Sequence, residues 1–143
     1  MTLTLDQASG IVDVALAEGS RRGFHPLCVV VLDAGGHALA LKRDERASIS
    51  RPEIATAKAA GCLGMGFGGR EIAKRAQAVP AFIAALNGIF PKGILPVPGG
   101  VLIRDAGGAL LGAVGISGDT SDNDEICAVA GIEAASLVAD TGA

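Results

Sequence analysis

The chain has 143 residues, a length that fits one domain (1–143) with a single hydrophobic core. Its net charge of −3 and pI near 5.3 argue against nucleic-acid binding, because phosphate contacts require a concentrated basic surface. No apolar stretch reaches the ~20 residues of a membrane helix, and the N-terminus lacks the residue order of a signal peptide. We therefore expect a cytoplasmic protein with no membrane partner.

The first third of the chain predicts a helix followed by a β-hairpin. Thr4 and Gln7 form a capping-box pattern, and apolar residues follow them at helical spacing. The branched apolar run 27–32 predicts a strand, since it is too short for a helix. The stretch Asp-Ala-Gly-Gly at 33–36 then predicts a turn, because Asp bonds its own backbone and Gly accepts positive φ. The segment 37–42 completes the hairpin.

The middle of the chain predicts helices. Ser50 and Glu53 form a second capping-box pattern, which begins a helix rich in Ala and Gly that continues toward Gly64. The glycine-rich stretch 66–69 ends this helix. Shorter helical pieces follow, one of them over 80–88.

The last third predicts a loop, a second hairpin and a final helix. The Pro- and Gly-rich segment 90–100 is typical of an ordered loop. A second hairpin over 101–117 repeats the Asp-Ala-Gly-Gly turn at 105–108. Ser121 is the predicted cap of a helix that continues through Val138. The resulting order, helix, hairpin, helices, hairpin, helix, predicts an α+β fold in which helices pack on an antiparallel sheet.

Several stretches, in this order along the chain, resemble the GlcG/HbpS family, which includes the haem-binding and haem-degrading-like domain of the PduO C-terminal type. They are 30–37, 54–59, 98–101 and 112–118, together with Asp124 and Glu125. The resemblance implies a profilin-like sandwich, assembly into a homo-oligomer, and binding of haem or another tetrapyrrole. It implies no agreed reaction.

A basic stripe is the first candidate site. Arg51 and Lys58 are seven residues apart, so they return to nearly the same face of the predicted helix. Arg43 ends the hairpin shortly before this helix and could join them. Together the three cations would accept a carboxylate or a haem propionate. The alternative is a solvated face, or ion pairs with Asp44 and Glu45.

Two glycine-containing loops are the second candidate. Gly99 and Gly100 lack side chains, so their amides could approach a ligand closely. The alternative is a tight lead into the strand that begins at Val101. The family pattern also contains the Ser117-Gly118 loop, and the resemblance implies that both loops border one cleft.

His25 and His37 are the two histidines and hence candidate haem ligands, and Met65 or a lysine could substitute for them. The alternative for each is an exposed turn residue. Any haem would be held non-covalently, because the chain lacks a Cys-x-x-Cys-His motif. Cys28, Cys62 and Cys127 are scattered along the sequence, which predicts buried reduced thiols and no metal site.

Three function classes stay open: a binding protein for haem or a related tetrapyrrole, an enzyme acting on a small carboxylated metabolite, and an assembly protein without ligand chemistry. The run 58–62 lacks the aromatic and hydroxyl residues usual in the family, which leaves room for a ligand smaller than haem. No residue is identified as catalytic. We also expect a homo-oligomer, because the small residues of 51–64 offer a face on which another helix could pack. The alternative is that part of this face packs on its own sheet.

Overall fold

A computed structural model describes all 143 residues. The elements, in chain order, are α1 (Leu5–Arg21), β1 (Cys28–Asp33), β2 (Ala38–Arg43), α2 (Arg51–Met65), α3 (Gly69–Ala78), α4 (Pro80–Ala85), β3 (Gly100–Arg104), β4 (Leu110–Ser117), α5 (Ser121–Ala134) and β5 (Val138–Asp140). A short 3-10 turn follows α4. The strands form one antiparallel sheet in the order β2-β1-β4-β3-β5. The predicted α+β fold is confirmed, and none of the helices has the length and apolarity needed to cross a membrane.

Both Asp-Ala-Gly-Gly stretches are hairpin turns, as predicted. In each turn the Asp side chain, Asp33 or Asp105, accepts hydrogen bonds from the main-chain amides two and four residues later, at 2.9 to 3.0 Å. The last glycine, Gly36 or Gly108, has a positive φ of 85° or 88°. The two copies of the repeat therefore form the same kind of turn.

The sheet carries a core on each face because side chains alternate along its strands. Val29 and Val31 belong to the core beneath α1 and α5, which also includes Ile116. Val30 and Leu32 belong to the core beneath α2. The interior strand β1 is therefore buried on both sides, which explains its continuous apolar run.

Helix α2 packs closely on the sheet. Ala55, Ala59 and Cys62 are fully buried in the core between α2 and the strands. At Gly115 of β4, an added Cβ would lie 1.9 Å from the carbonyl oxygen of Ala55. The small-residue face of α2 thus packs on its own sheet, and this corrects the expectation that it is free to receive a helix from another copy.

The predicted start of α2 at Ser50 is correct but its capping bond is absent, and two predicted boundaries of the last helix were wrong. Ser50 makes no capping bond, because its own backbone is already helical (φ −87°, ψ −3°). Thr120, rather than Ser121, caps α5 and accepts a bond from the amide three residues later. The helix also stops before Val138, since Ser136 adopts a φ of 59° and turns the chain back, so that Val138 begins β5.

We expect Gly115→Ala to lower the free energy of unfolding by about 2 kcal/mol or more, because the new methyl group forces α2 away from β4. Gly10, in the middle of α1, is the matched control, since an added Cβ there meets nothing within 4 Å. Gly10→Ala should raise stability by about 0.5–1 kcal/mol. Urea unfolding measures both changes. Equal stability of Gly115→Ala and the parent would contradict this close packing.

Candidate functional site

Lys58 is buried where α2, the end of β4 and α5 meet. Its side chain is 5% exposed, and its Nζ donates to Oδ2 of Asp124 at 3.0 Å and to the carbonyl of Ile116 at 2.9 Å. Asp124 is 1% exposed, and its Oδ1 accepts a bond from the main-chain amide of Asp119 at 3.0 Å. Lys58 is therefore not the solvent-facing cation that the sequence suggested, because a buried carboxylate already neutralises it.

Burying the Lys58–Asp124 pair costs free energy, because both charges lose their contact with water. Burial raises the pKa of the Asp124 carboxyl, because the loss of water outweighs the attraction of the Lys58 ammonium and its hydrogen bonds. A buried ion pair contributes little net stability, but removing one partner leaves an uncompensated charge, which typically costs ~3–5 kcal/mol. The pair thus makes the joint between α2 and α5 specific.

Gly99 and Gly100 lie against Lys58. An added Cβ at Gly100 would lie 2.5 Å from the main-chain oxygen of Lys58, and one at Gly99, whose φ is 109°, would lie 2.9 Å from its Nζ. The Gly99 carbonyl accepts a bond from the Ile116 amide at 3.0 Å. Both glycines are buried. They form the tight lead into β3, and in the monomer they border no open cleft.

Ser117 and Gly118 end β4 beside the start of α2. Ser117 is buried, and its Oγ accepts a hydrogen bond from Nη1 of Arg51 at 3.0 Å. Gly118, with a φ of 149°, lies so close to the main chain that an added Cβ would be 2.2 Å from the Pro26 carbonyl. Most of the predicted site residues are thus brought together at one end of the sheet, where they are packed against one another.

Arg43 and Arg51 are the two arginines that have no carboxylate at ion-pair distance. Arg51 bonds only hydroxyl groups, Oγ of Ser48 at 3.0 Å and Oγ of Ser117. Arg43 donates Nη1 to main-chain carbonyls, the closest being Ala47 at 2.8 Å. The remaining arginines all form ion pairs: Arg21, Arg22, Arg46, Arg70, Arg75 and Arg104.

Sheet register places these two arginines near each other. Arg43 on β2 is directly opposite Cys28 on β1, and Cys28 is directly opposite Ser117, the partner of Arg51. Two strand spacings amount to about 10 Å. Burial raises the pKa of the Cys28 thiol to about 11, and the positive charge of Arg43 opposes this rise. This effect agrees with the position of Arg43 directly opposite Cys28 on the neighbouring strand.

The cavity nearest to Arg43 has a volume of about 410 Å³. It lies between α1 and the loop after β2, and Arg43 lines it together with Lys42, Arg46 and the carboxylate of Asp44. Arg51 and Ser117 do not line it. The size suits a small molecule, since ligand sites typically measure ~300–1,000 Å³.

The two histidines are exposed and far apart. His25 precedes β1 and donates its main-chain amide to Oδ2 of Asp119 at 2.7 Å, whereas His37 follows the turn at the other end of β1. The six residues of β1 span about 20 Å. The two side chains therefore do not reach one haem iron together.

The three cysteines are free and buried, as predicted. Burial raises the pKa of Cys62 to about 12 and of Cys127 to about 11, so neither thiol is reactive at neutral pH. Sequence reasoning missed Asp119 and missed Asp124 as the partner of Lys58. The available signal was two acidic residues around the predicted start of a helix, but their partner is 66 residues away in sequence.

Fold and site together define a small α+β sandwich in which a buried ion pair anchors a helix beside two unpaired arginines. The family model "Haem degrading protein HbpS-like" matches residues 3–133, and the chain belongs to this family. The resemblance inferred from the sequence is thereby confirmed.

Solved structures support the assignment. The crystal structure of HbpS is 30% identical, with coverage of 94% of this chain and 90% of that one and a TM-score of 0.81. The Klebsiella pneumoniae protein ORFY is 25% identical, with coverage of 95% and 92% and a TM-score of 0.84. The crystal structure of a PduOC–haem complex is 22% identical, and the match covers 96% of this chain and 98% of that one. Its TM-score is 0.85, and this likeness shows the fold. Comparison with curated proteins finds no match.

We expect Lys58→Met to lower the free energy of unfolding at pH 7 by about 3–5 kcal/mol, because Asp124 is left charged and buried. Without the ammonium, the folded-state pKa of Asp124 rises further above its unfolded value. Stability should then fall as pH rises through this window, so the deficit relative to the parent is largest at pH 7 and shrinks toward pH 4.

Chemical unfolding at several pH values tests this expectation. Lys74→Met, a change at an exposed lysine of α3, is the control and should cost little at any pH. The double variant Lys58→Met/Asp124→Leu should be more stable at pH 7 than Lys58→Met alone, because the lone charge is gone. A deficit independent of pH would show that lost packing, not charge burial, causes it.

Proposed function

We propose that this protein binds haem or a related tetrapyrrole non-covalently and holds the propionate carboxylates with Arg43 and Arg51. The observation that carries this proposal is that these two guanidinium groups have no carboxylate partner, although every other arginine has one. Membership of the HbpS-like haem-degrading family supports haem as the ligand.

The arginines suit two carboxylates. A guanidinium presents several N–H donors in a fixed plane, and this geometry matches a carboxylate through paired hydrogen bonds. Ser48 and Ser117 orient Arg51 without cancelling its charge, because a hydroxyl is neutral. About 10 Å separates the strand positions of Arg43 and of Ser117, the partner of Arg51, so each arginine can take its own carboxylate.

Lys58 has a supporting role in this proposal. Its Nζ holds the carbonyl of Ile116, and the next residue is Ser117, which orients Arg51. The buried pair with Asp124 thus helps to hold the end of β4 from which Ser117 bonds Arg51, and Lys58 itself does not contact the ligand.

His25 is the better candidate for the haem iron. It lies at the end of β1 that also carries Cys28, the residue opposite Arg43, whereas His37 lies at the far end. The His25 imidazole is exposed, and the bond from its main-chain amide to Asp119 holds the backbone in place. When bound, the haem would supply the iron chemistry, and this chain would supply binding and orientation.

A second candidate function is an enzyme for a small carboxylated metabolite. The cavity of about 410 Å³ beside Arg43 favours it, since its volume suits a small molecule. Leu16, Phe24 and Leu27 give the cavity apolar surface in addition to its cations. In this case Arg43 would hold the substrate carboxylate.

We expect haemin added to the parent protein to shift the Soret band, and Arg51→Gln and Arg43→Gln each to weaken haemin binding about tenfold. A hydrogen bond to a charged group contributes ~1.5–3 kcal/mol, which corresponds to this loss. The thermal midpoint should fall only slightly, because each substitution removes hydrogen bonds to neutral partners and no ion pair. Arg75→Gln on α3, whose partner is Glu71, is the matched control and should bind haemin as the parent does.

His25→Ala should change the position of the Soret band, and His37→Ala should leave it unchanged. Unaltered haemin affinity in both arginine variants would overturn the proposed carboxylate site. If haemin does not bind but a small carboxylate protects the parent and not Arg43→Gln from thermal unfolding, the enzyme proposal gains support instead.

We also expect the protein to form a homo-oligomer, as the resemblance implies. Large apolar side chains stay exposed on the monomer, among them Ile49 (86%), Phe82 (59%) and Ile89 (72%). Such surface in a single chain often marks contact with another protein. Sedimentation velocity at micromolar concentration should give a mass above the 14.2 kDa of one chain. A compact monomer would contradict this expectation.

A further inference from the structure

A separate cavity, of about 310 Å³, lies between α2, the segment 90–92 and the turn of the first hairpin. Helix α2 contributes Ala60, Leu63 and Gly64, which share one helix face because they are three and four residues apart. No residue of the proposed haem site lines it. The volume is at the lower end of the range for small-molecule sites, so it suits one ring and not a tetrapyrrole.

Phe90 provides an aromatic wall. Its ring lies on α2 at Gly64, where an added Cβ would be 2.9 Å from the ring carbon Cε2. Only the absence of a side chain at Gly64 allows this approach. Ala60, one helical turn earlier, offers no more than a methyl group, and Pro91 adds a second rigid apolar surface. A flat ring could stack on Phe90 in an offset arrangement.

Lys92 brings a positive charge to the same cavity. Its Nζ donates to the carbonyl of Gly36 and has no carboxylate at ion-pair distance. An ammonium group has three protons, so two are free for a ligand. No Asp or Glu lines the cavity. The nearby carboxylate of Asp33 is occupied by main-chain amides of its own turn, and Glu53, which lies beside Lys92 in a neighbouring depression, is not paired with it.

We propose that this cavity binds a small planar aromatic carboxylate, with its ring on Phe90 between Ala60 and Pro91 and its carboxylate on Lys92. An aromatic wall and one unpaired cation beside it match the two halves of such a ligand. The site goes beyond the proposed haem function and does not depend on it, because the two share no residue.

Benzoate is the probe, and benzamide, which has the same shape without the charge, is its control. In ¹H–¹⁵N NMR titrations of the parent protein, benzoate should shift the amide signals of Gly36, Gly64 and Lys92 in a saturable manner. Benzamide should bind the same place several-fold more weakly. Benzoate without effect on these signals, or benzamide binding equally well, would overturn the proposal.

Two variants test the two halves of the ligand. Ala60→Leu fills the cavity and should abolish the benzoate shifts, whereas Ala84→Leu, at an exposed alanine of α4, should retain them. Lys92→Gln should weaken binding about threefold to fivefold, as expected for an exposed ion pair. The matched charge control Lys74→Gln should have no effect.

Benzoate shifts that persist in folded Ala60→Leu would overturn the location. If Ala60→Leu does not fold, Phe90→Leu replaces it and should weaken benzoate binding through lost stacking, while unchanged binding would overturn the ring's position. Arg51→Gln should leave the shifts at Gly64 and Lys92 intact. Their loss in that variant would place benzoate at the arginines and overturn this site, whatever the haemin titrations show.

Discussion

The buried ion pair between Lys58 and Asp124 is the constraint on which the end of the sheet with the candidate site depends. It joins α2 on one face of the sheet to α5 on the other, past the end of β4, and it also holds the Ile116 carbonyl. In a medium of low dielectric constant, neither charge is tolerable without the other. The two helices are thus held in one relative position, because any slip would separate buried charges.

The glycines around this pair leave the space that α2 needs to approach the sheet. For the Lys58 ammonium to reach Asp124, α2 must lie close to β3 and β4, and the positions it faces there are Gly100 and Gly115. A single methyl group at either would clash with the helix main chain. Gly100, one of the candidate ligand-binding glycines, and Gly115 therefore allow helix and sheet to come together.

The same arrangement decides which cations are available for binding. The charge of Lys58 is neutralised by Asp124 inside the protein. The six paired arginines are neutralised by carboxylates nearer the surface. Arg43 and Arg51 are left beside one row of the sheet, one bonded to main-chain carbonyls and the other to hydroxyls. Neutral partners orient a guanidinium without satisfying its charge, and this difference makes the two arginines the centre of the haem proposal.

The sequence alone determined what is local. The Asp-Ala-Gly-Gly turns, the capping box at Thr4 and the buried run 27–32 could be predicted, because each depends on the preferences of neighbouring residues. Arg51 and Lys58 were predicted on one helix face for the same reason. Only the tertiary structure decided their different fates, since Asp124 and Ser117 approach them from 66 residues away. Helical periodicity specifies the direction in which a side chain points. The partner that this side chain meets depends on how the helices and the sheet pack, and the partner determines whether the charge is free.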